Sequence, residues 1–263
     1  MKLYVNATHK TMNMKFGLIG HPIEHSLSPA LFKAGYDGKY PYDLIQTPDF
    51  EEAYQRFLDD YEGINVTAPF KELAFSKADI LSEECRRIGA TNLLIKTPEG
   101  IKAYNSDFLG VQFWISEVSS DMTVTPTVLI VGLGGAGKAA AEAARSLGCR
   151  TILMNRTQFS NEIKPLSEFV PWFEKADIII YNIPVAIPEI KELLTSSDTS
   201  RKILLEANYK NPSFDTALLK NLKQSGLNIE YHAGQTWLLL QAMTGYEIFT
   251  GEKPDLSKMT KQI

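Results

Sequence analysis

The sequence predicts an α/β protein built from two domains. Strand-like and helix-like segments alternate through the first part of the chain, and a glycine-rich loop at Gly132 opens a second alternating series. A long helical pattern then closes the chain. Alternation of this kind is typical of mostly parallel sheets covered by helices. The 263 residues are enough for two such domains, each with its own core.

The first domain begins with the strand KFGLIG, and a helix starts at Ser28. We expect Ser28 to cap this helix and Pro29 to occupy its first turn. A second strand and helix, a third strand GINVTA and two further helical stretches follow. The segment TNLLIKTPEGIKAYNSD then predicts a hairpin whose turn is TPEG. A helix beginning at Asp107 leads out of this domain.

The second domain starts with VLIVGLGGAGKAAAEAARSLG, an apolar run followed by glycines and an alanine-rich helical pattern. It continues through the strands TILMN, DIIIYNI, KILLEAN and NIEYHA, and the last strong helix is TWLLLQAMTGYEIFTG. We place the boundaries of this domain at residues 108 and 234.

Composition excludes several classes of function. A net charge of -4 argues against binding to nucleic acid or to an anionic membrane, because both partners require a basic surface. No apolar run approaches the roughly 20 residues of a membrane span. Cys85 and Cys149 lack metal-ligand spacing and indicate free thiols in a reducing compartment. These features favour a cytoplasmic enzyme without a metal site.

The segment Gly132–Gly137 reads G-L-G-G-A-G and matches the dinucleotide-binding pattern G-x-G-x-x-G in its strand–loop–helix context. Gly132 permits the tight turn, Gly134 lets the backbone approach a pyrophosphate, and Gly137 allows the helix to pack close to the strand. The start of that helix offers N–H donors to an anion. The loop therefore predicts a dinucleotide site formed by Gly132, Gly134, Gly135, Ala136 and Gly137.

The end of the following strand indicates which dinucleotide binds. NAD-binding domains carry an acid there, which holds the ribose 2′-hydroxyl. Here the strand TILMN runs into Asn155-Arg156-Thr157, which contains no carboxylate. Arg156 can pair with a 2′-phosphate and stack on adenine. The sequence therefore favours NADP.

Polar side chains also follow the strands of the first domain. They are Ser26 and Ser28, Asn65 and Thr67, Lys71, Asn92, and Asp107. Ligands of open α/β sheets bind beyond the carboxyl ends of the strands, so we expect these groups to converge on a cleft facing the second domain. Hydroxyls and amides suit a small polyhydroxy substrate, and Lys71 with Asp107 could hold and move a proton.

These segments resemble the shikimate dehydrogenase family. GHPIEHSLSPALF is similar to its G-x-P-x-x-H-S-x-S-P segment, and NVTAPFKELAF to its N-V-T-x-P-x-K-x-x-x-F segment. YNSDFLGV is similar to G-x-N-T-D-x-x-G, and LLLQAMTGYEIFTG to the closing Q-A-x-x-x-F-x-x-x-x-G helix. The resemblance extends from Phe16 to Gly251.

The resemblance implies reversible reduction of 3-dehydroshikimate to shikimate with NADPH, in aromatic amino-acid and chorismate biosynthesis, by a monomer or homodimer. It implies that residues 235–263 return to the first domain, which then comprises 1–107 plus 235–263. Lys71 and Asp107 would be the catalytic pair, with Lys71 donating a proton to the developing alkoxide. Substrate contacts would come from Ser26, Ser28, Asn65, Thr67, Asn92, Tyr209 and Gln241. Cofactor contacts would extend to Asn155, Arg156, Thr157, Asn182 and Gly234.

Four segments depart from the family pattern, and the first three of them cluster around the expected nicotinamide end. The family's Asn-Ala-Thr is Asn182-Ile183-Pro184, and its acid-Leu-x-Tyr is EANY. Thr236 and Trp237 replace a glycine and a methionine, and Ser160 stands where a basic residue often follows N-R-T. Two alternatives stay open: a quinate or quinate/shikimate dehydrogenase using NAD, and a non-catalytic relative that binds the metabolite. A folate-type dehydrogenase lacks the serine pair.

Overall fold

A computed structural model describes residues 14–263 of the chain. It divides into two compact units. The first comprises the described residues up to Ser106 together with Ala242–Ile263, and the second comprises Asp107–Gln241. Each unit contains one six-stranded sheet with helices, which confirms the predicted fold class.

The first unit has a mixed sheet in the order β2-β1-β3-β5-β6-β4. Its strands are β1 Phe16–Gly20, β2 Tyr42–Gln46, β3 Gly63–Val66, β4 Ile80–Leu81, β5 Leu93–Thr97 and β6 Gly100–Tyr104. Its first helices are α1 Ser28–Gly35, α2 Phe50–Asp60, α3 Lys71–Ser76 and α4 Glu83–Ile88. Strand β1 is parallel to β2 and β3, whereas β5 is antiparallel to both β3 and β6.

This topology brings several strand ends to one edge of the sheet. Strands β1, β3 and β6 finish there, and the antiparallel β5 begins there. The helices of this unit bury their apolar side chains in its core. Helix α2, for example, is capped by the Asp49 side chain and buries Phe50, Ala53 and Phe57.

The second unit has a fully parallel sheet in the order β12-β11-β10-β7-β8-β9. The strands are β7 Thr127–Val131, β8 Arg150–Met154, β9 Ile163–Lys164, β10 Ile178–Tyr181, β11 Arg201–Glu206 and β12 Asn228–His232. Its α-helices are α5 Ser106–Val118, α6 Gly135–Ser146, α7 Phe169–Lys175 and α8 Thr216–Gln224, and the first part of α9 Gly234–Thr250 also belongs to it. Every residue of the central strands β7 and β10 is buried, which explains their unbroken apolar sequences.

The C-terminal part of the chain completes the core of the first unit. From Ala242 onward, α9 and the short helix α10 Leu256–Thr260 belong to that unit. The Phe249 ring stacks on Phe16 with 5.0 Å between centroids, and Tyr246 meets Phe32 edge-on at 4.7 Å. The last long helix therefore belongs to the first unit only from Ala242 onward, whereas its Gly234–Gln241 part belongs to the second unit.

The expectation for Ser28 is wrong. The residue before helix α1 is Leu27, no side chain caps this helix, and Ser28 is already its first helical residue. The backbone N–H of Ser28 instead donates to Ser26 Oγ at 3.3 Å, so the preceding serine accepts from the start of the helix. Pro29 does lie in the first turn.

Two further findings concern the described residues as a whole. Within residues 14–263, no helix is both long enough and apolar enough to cross a membrane. In the same part of the chain, no three His, Cys, Asp or Glu side chains lie close enough together to hold a metal ion.

Candidate active site

The shared edge of the first sheet carries five of the predicted substrate-binding residues. We call this set the polar edge: Ser26, Ser28, Asn65, Thr67 and Asn92. Ser26 and Ser28 follow β1, Asn65 lies at the end of β3 with Thr67 just beyond it, and Asn92 immediately precedes β5. The parallel pairing of β1 with β3 and the antiparallel pairing of β3 with β5 place the ends of β1 and β3 and the start of β5 together, and the five residues lie at or after these strand ends.

Asn65 is held by a tyrosine of β2, which is separated from β3 by β1 in the sheet. The Tyr42 hydroxyl donates to Asn65 Oδ1 at 2.7 Å. Because the amide oxygen points to the Tyr42 hydroxyl, the NH2 group points away from Tyr42. It makes a long contact of 3.4 Å with the Asn92 carbonyl. Burial raises the pKa of Tyr42 well above its usual value, so the hydroxyl stays a donor.

Asn92 is fixed by the chain that follows β6. Its Oδ1 accepts from the Ser106 backbone N–H at 2.7 Å, and its Nδ2 donates to Ser106 Oγ at 3.0 Å. The Asn92 carbonyl also accepts from Val66 N–H at 2.8 Å. Thr91 N–H donates to the Lys71 carbonyl at 3.2 Å, which ties the first residue of α3 to the same stretch.

The two serines are linked to each other and to α9. Ser26 Oγ donates to Ser28 Oγ at 3.2 Å, and the Tyr246 hydroxyl donates to the Ser28 carbonyl at 3.0 Å. Tyr246 belongs to the part of α9 that lies in the first unit. The first unit therefore brings the polar edge together and holds it with hydrogen bonds from Tyr42 and Tyr246.

The glycine loop of the second unit has the geometry that its sequence predicts. Gly132 has a φ of +90°, a conformation that favours glycine. A Cβ atom at Gly137 would lie only 1.9 Å from the Gly132 carbonyl oxygen, so no other residue fits there. A Cβ at Gly134 would meet nothing within 4 Å, so the loop is open at that point. Helix α6 begins at Gly135 without a side-chain cap, which suits an anion at its first turn.

The neighbouring strands place the other predicted cofactor residues beside this loop. Asn155 Oδ1 accepts from Leu133 N–H at 3.2 Å, and Asn155 Nδ2 donates to the Thr157 carbonyl at 3.0 Å. Arg156 and Thr157 are exposed. Asn182 follows β10, and among the described residues its buried Oδ1 has no hydrogen-bond partner. These groups fit a dinucleotide, because an open glycine loop, an exposed guanidinium and an unused acceptor lie at the carboxyl ends of adjacent strands.

The remaining predicted residues lie on α5, α9 and the segment after β11. Tyr209 is half-buried next to Gly234, where a Cβ atom would come within 2.6 Å of the Tyr209 nitrogen. Gln241 packs against α5, because a Cβ at Gly110 would lie 2.7 Å from the Gln241 nitrogen. Asp107, the second residue of α5, is buried, and its Oδ1 accepts from Trp237 Nε1 at 3.0 Å.

Three side chains that support the site are absent from the sequence-based prediction. Tyr42 and Tyr246 have ordinary strand and helix contexts, so nothing local distinguishes them from core residues. Trp237 does carry a signal, since it departs from the family pattern, but its partner becomes visible only in the folded chain.

The fold and the glycine loop define a dinucleotide-binding α/β protein of two units. Residues 18–94 match the family model described as the shikimate dehydrogenase substrate binding domain, and residues 91–199 match the NAD binding domain of D-isomer specific 2-hydroxyacid dehydrogenases. A shikimate dehydrogenase (NADP(+)) of Caldanaerobacter subterraneus subsp. tengcongensis is 30% identical over 266 residues, covering 90% of this chain and 91% of that protein. The chain therefore belongs to the shikimate dehydrogenase family.

Solved structures agree with this assignment. The shikimate 5-dehydrogenase of Thermus thermophilus, in complex with NADP(H) and shikimate, aligns with a TM-score of 0.75 at 25% identity. The alignment covers 95% of this chain and 98% of that one. The quinate dehydrogenase of Corynebacterium glutamicum, in complex with NAD, has a TM-score of 0.78 at 21% identity and supports the fold alone.

Proposed function

We propose that this protein catalyses the reversible, NADPH-dependent reduction of 3-dehydroshikimate to shikimate. The observation that carries the proposal is the polar edge: two serines and a threonine follow the parallel strands β1 and β3, Asn65 lies near the end of β3, and Asn92 lies at the start of the antiparallel β5. Hydroxyl and amide groups can pair with the hydroxyls and the carboxylate of such a substrate. The names of the similar NADP(+) enzymes support the choice of substrate and cofactor.

Each group of residues has a distinct part in this proposal. Ser26 and Ser28 bind the substrate carboxylate, and Asn65, Thr67, Asn92 and Gln241 bind ring hydroxyls or that carboxylate, with Tyr209 near it. NADPH, when bound, supplies the hydride for the C3 carbonyl. Lys71 donates a proton to the oxygen that becomes the hydroxyl, and its positive charge stabilises that oxygen as charge develops. Asp107 is the carboxylate partner of Lys71 in this proton transfer.

The cofactor is held by the second unit. Gly132, Gly134, Gly135, Ala136 and Gly137 receive the pyrophosphate, Asn155, Arg156 and Thr157 bind the adenosine part, and Asn182 with Gly234 contact the nicotinamide end. Arg156 selects NADP, because a guanidinium can pair with the 2′-phosphate and no carboxylate in that segment repels it.

An absorbance assay of reduced nicotinamide tests the proposal directly. Purified protein receives shikimate or quinate, each with NADP or NAD. Turnover confined to shikimate with NADP is the expected result. Turnover with quinate or NAD would identify a quinate or dual-specificity dehydrogenase, and a folded protein without turnover would indicate a metabolite-binding relative. Lys71→Ala should then remove turnover while leaving the fold intact.

Arg156→Ala tests the choice of cofactor. The loss of a charge-assisted contact should raise the KM for NADP by about 10-fold or more and leave the KM for NAD nearly unchanged. Arg150→Ala is the matched control, since Arg150 is an exposed arginine at the opposite end of the same strand β8. Equal KM values of the two variants for NADP would contradict the role of Arg156.

Two parts of the proposal concern the protein's setting. A cytoplasmic location is consistent with the two free cysteines, Cys85 and Cys149. For assembly we propose a monomer or a homodimer, which sedimentation of the purified chain at several concentrations would distinguish.

A further inference from the structure

The first part of α9 carries a buried indole that contacts the beginning of α5. Trp237 Nε1 donates to Asp107 Oδ1 at 3.0 Å, and the two residues are only 6% and 7% exposed. Trp237 stands where the family pattern has methionine, whose thioether has no proton to donate. The hydrogen bond therefore belongs to this chain and not to the family motif.

A close approach of the two helices explains how the indole reaches the carboxylate. Without a side chain at Gly110, the α9 backbone comes so near that a Cβ there would lie 2.7 Å from the Gln241 nitrogen. Asp107 precedes Gly110 by three residues, and Trp237 precedes Gln241 by four, so each lies about one helical turn earlier. The backbone contact thus sets the separation of the two side chains.

We propose that Trp237 is a positioning residue that holds the Asp107 carboxylate for the reaction, an inference that rests on the proposed function. An N–H bond to a carboxylate is charge-assisted, and in a buried setting its loss leaves an acceptor poorly solvated. The indole fixes one oxygen of Asp107 through this hydrogen bond. A preorganised carboxylate needs no reorientation when Lys71 transfers its proton.

Indole NMR signals test the hydrogen bond without reference to activity. The chain has three tryptophans, so three indole N–H signals are expected, and single Trp→Phe variants assign them. Asp107→Asn should shift the Trp237 proton upfield, because a neutral amide is a weaker acceptor. The Trp114 signal is the internal reference: Trp114 is buried on α5, and its Nε1 has no hydrogen-bond partner in the described part of the chain. An unmoved Trp237 signal would overturn the inference.

Kinetics of Trp237→Phe test the functional consequence. We expect kcat to fall about 10-fold, with the KM for shikimate within about 2-fold of wild type. Trp114→Phe makes the same change in a buried indole and should leave kcat within about 2-fold. Trp237→Met, which introduces the family's residue and also lacks the donor, should repeat the loss if Trp237→Phe folds poorly. Equal kcat values for the Trp114 and Trp237 variants would overturn the inference.

Comparing the single variants with the double variant distinguishes a failure of this inference from a failure of the proposed function. If Asp107→Asn abolishes turnover while Trp237→Phe behaves like Trp114→Phe, the proposed function stands and the role of Trp237 falls. If Asp107→Asn retains full turnover, the catalytic role of Asp107 falls, and with it the consequence drawn for Trp237. If Asp107→Asn keeps some residual turnover, adding Trp237→Phe should not lower it further. That result would support the coupling of the two residues.

Discussion

Tyr42 determines which group of the Asn65 side-chain amide, the oxygen or the NH2, is available at the polar edge. Its hydroxyl occupies Asn65 Oδ1 at 2.7 Å and so leaves the amide NH2 as the group that can turn to a substrate. Tyr42→Phe should raise the KM for shikimate about 3- to 10-fold with little change in kcat, because one orienting hydrogen bond is lost. Since burial raises the pKa of Tyr42 well above its usual value, the effect should be the same at neutral and mildly alkaline pH.

Tyr40→Phe is the matched control for that experiment. Tyr40 is a buried tyrosine of the same unit, and its hydroxyl has no hydrogen-bond partner among the described residues. Its removal should leave the KM for shikimate unchanged. An equal rise in KM for both variants would indicate a general effect on the core and not an oriented amide.

At the scale of single elements, substitutions at two glycines of the loop should have different effects on stability and on cofactor binding. Gly137→Ala would put a Cβ 1.9 Å from the Gly132 carbonyl, so we expect a loss of several kcal/mol in unfolding free energy and weak NADP binding. Gly134→Ala meets no neighbouring atom within 4 Å and should keep its stability. It should nevertheless raise the Kd for NADP, since in the proposed binding mode the methyl group would lie in the path of the pyrophosphate.

Urea unfolding and fluorescence titration with NADPH would distinguish these outcomes. If Gly134→Ala bound NADPH as tightly as the wild-type protein, the pyrophosphate could not lie against that part of the loop.

Strand β11 carries two neighbouring cations in opposite environments. Lys202 is buried, donates to the Ala176 carbonyl at 2.8 Å and pairs with Asp198 at 2.9 Å. Lys202→Met should lower the unfolding free energy by about 3 kcal/mol, because it leaves these acceptors without their donor. Arg201→Met removes an exposed pair with Glu230 and should cost less than about 1 kcal/mol. Urea midpoints that coincide for the two variants would contradict this difference.

The sequence predicts most of the strands, and the misses have more than one cause. Long apolar or periodic segments, such as TVLIV of β7 and the glycine loop after it, carry their pattern locally. The two-residue strands β4 and β9 and the short α10 are too brief to show any period and are absent from the sequence-based prediction, as are the longer helices α7 and α8. The partners of Asn65 and Asp107 are invisible for another reason, since those bonds join residues distant in sequence. The roles given to the individual site residues stay predictions.

At the scale of the whole molecule, the two units differ in how the chain forms them. The second unit uses one continuous stretch, Asp107–Gln241, whereas the first requires residues from both ends of the chain. A protein ending at Gln241 would lose Tyr246 and Phe249 from the aromatic core around Phe16 and Phe32. We expect the first unit of that protein to lose its amide protection while the second unit keeps it.

Hydrogen exchange measured by mass spectrometry would read the two units separately. Phe249→Leu in the untruncated 263-residue chain is a milder control that should weaken protection of the first unit without abolishing it. Uniform loss of protection in both units after truncation would show that the second unit depends on the first for its stability.

The same arrangement affects how the protein matures on the ribosome. Residues 107–241 leave the exit tunnel as a complete unit, so the dinucleotide-binding sheet can form during translation. The polar edge emerges earlier but cannot be buttressed by Tyr246 until the last segment of the chain has been released. On the proposed function, a nascent chain would therefore be able to bind cofactor before it could bind substrate, and a chain interrupted before Tyr246 would bind dinucleotide without turning it over.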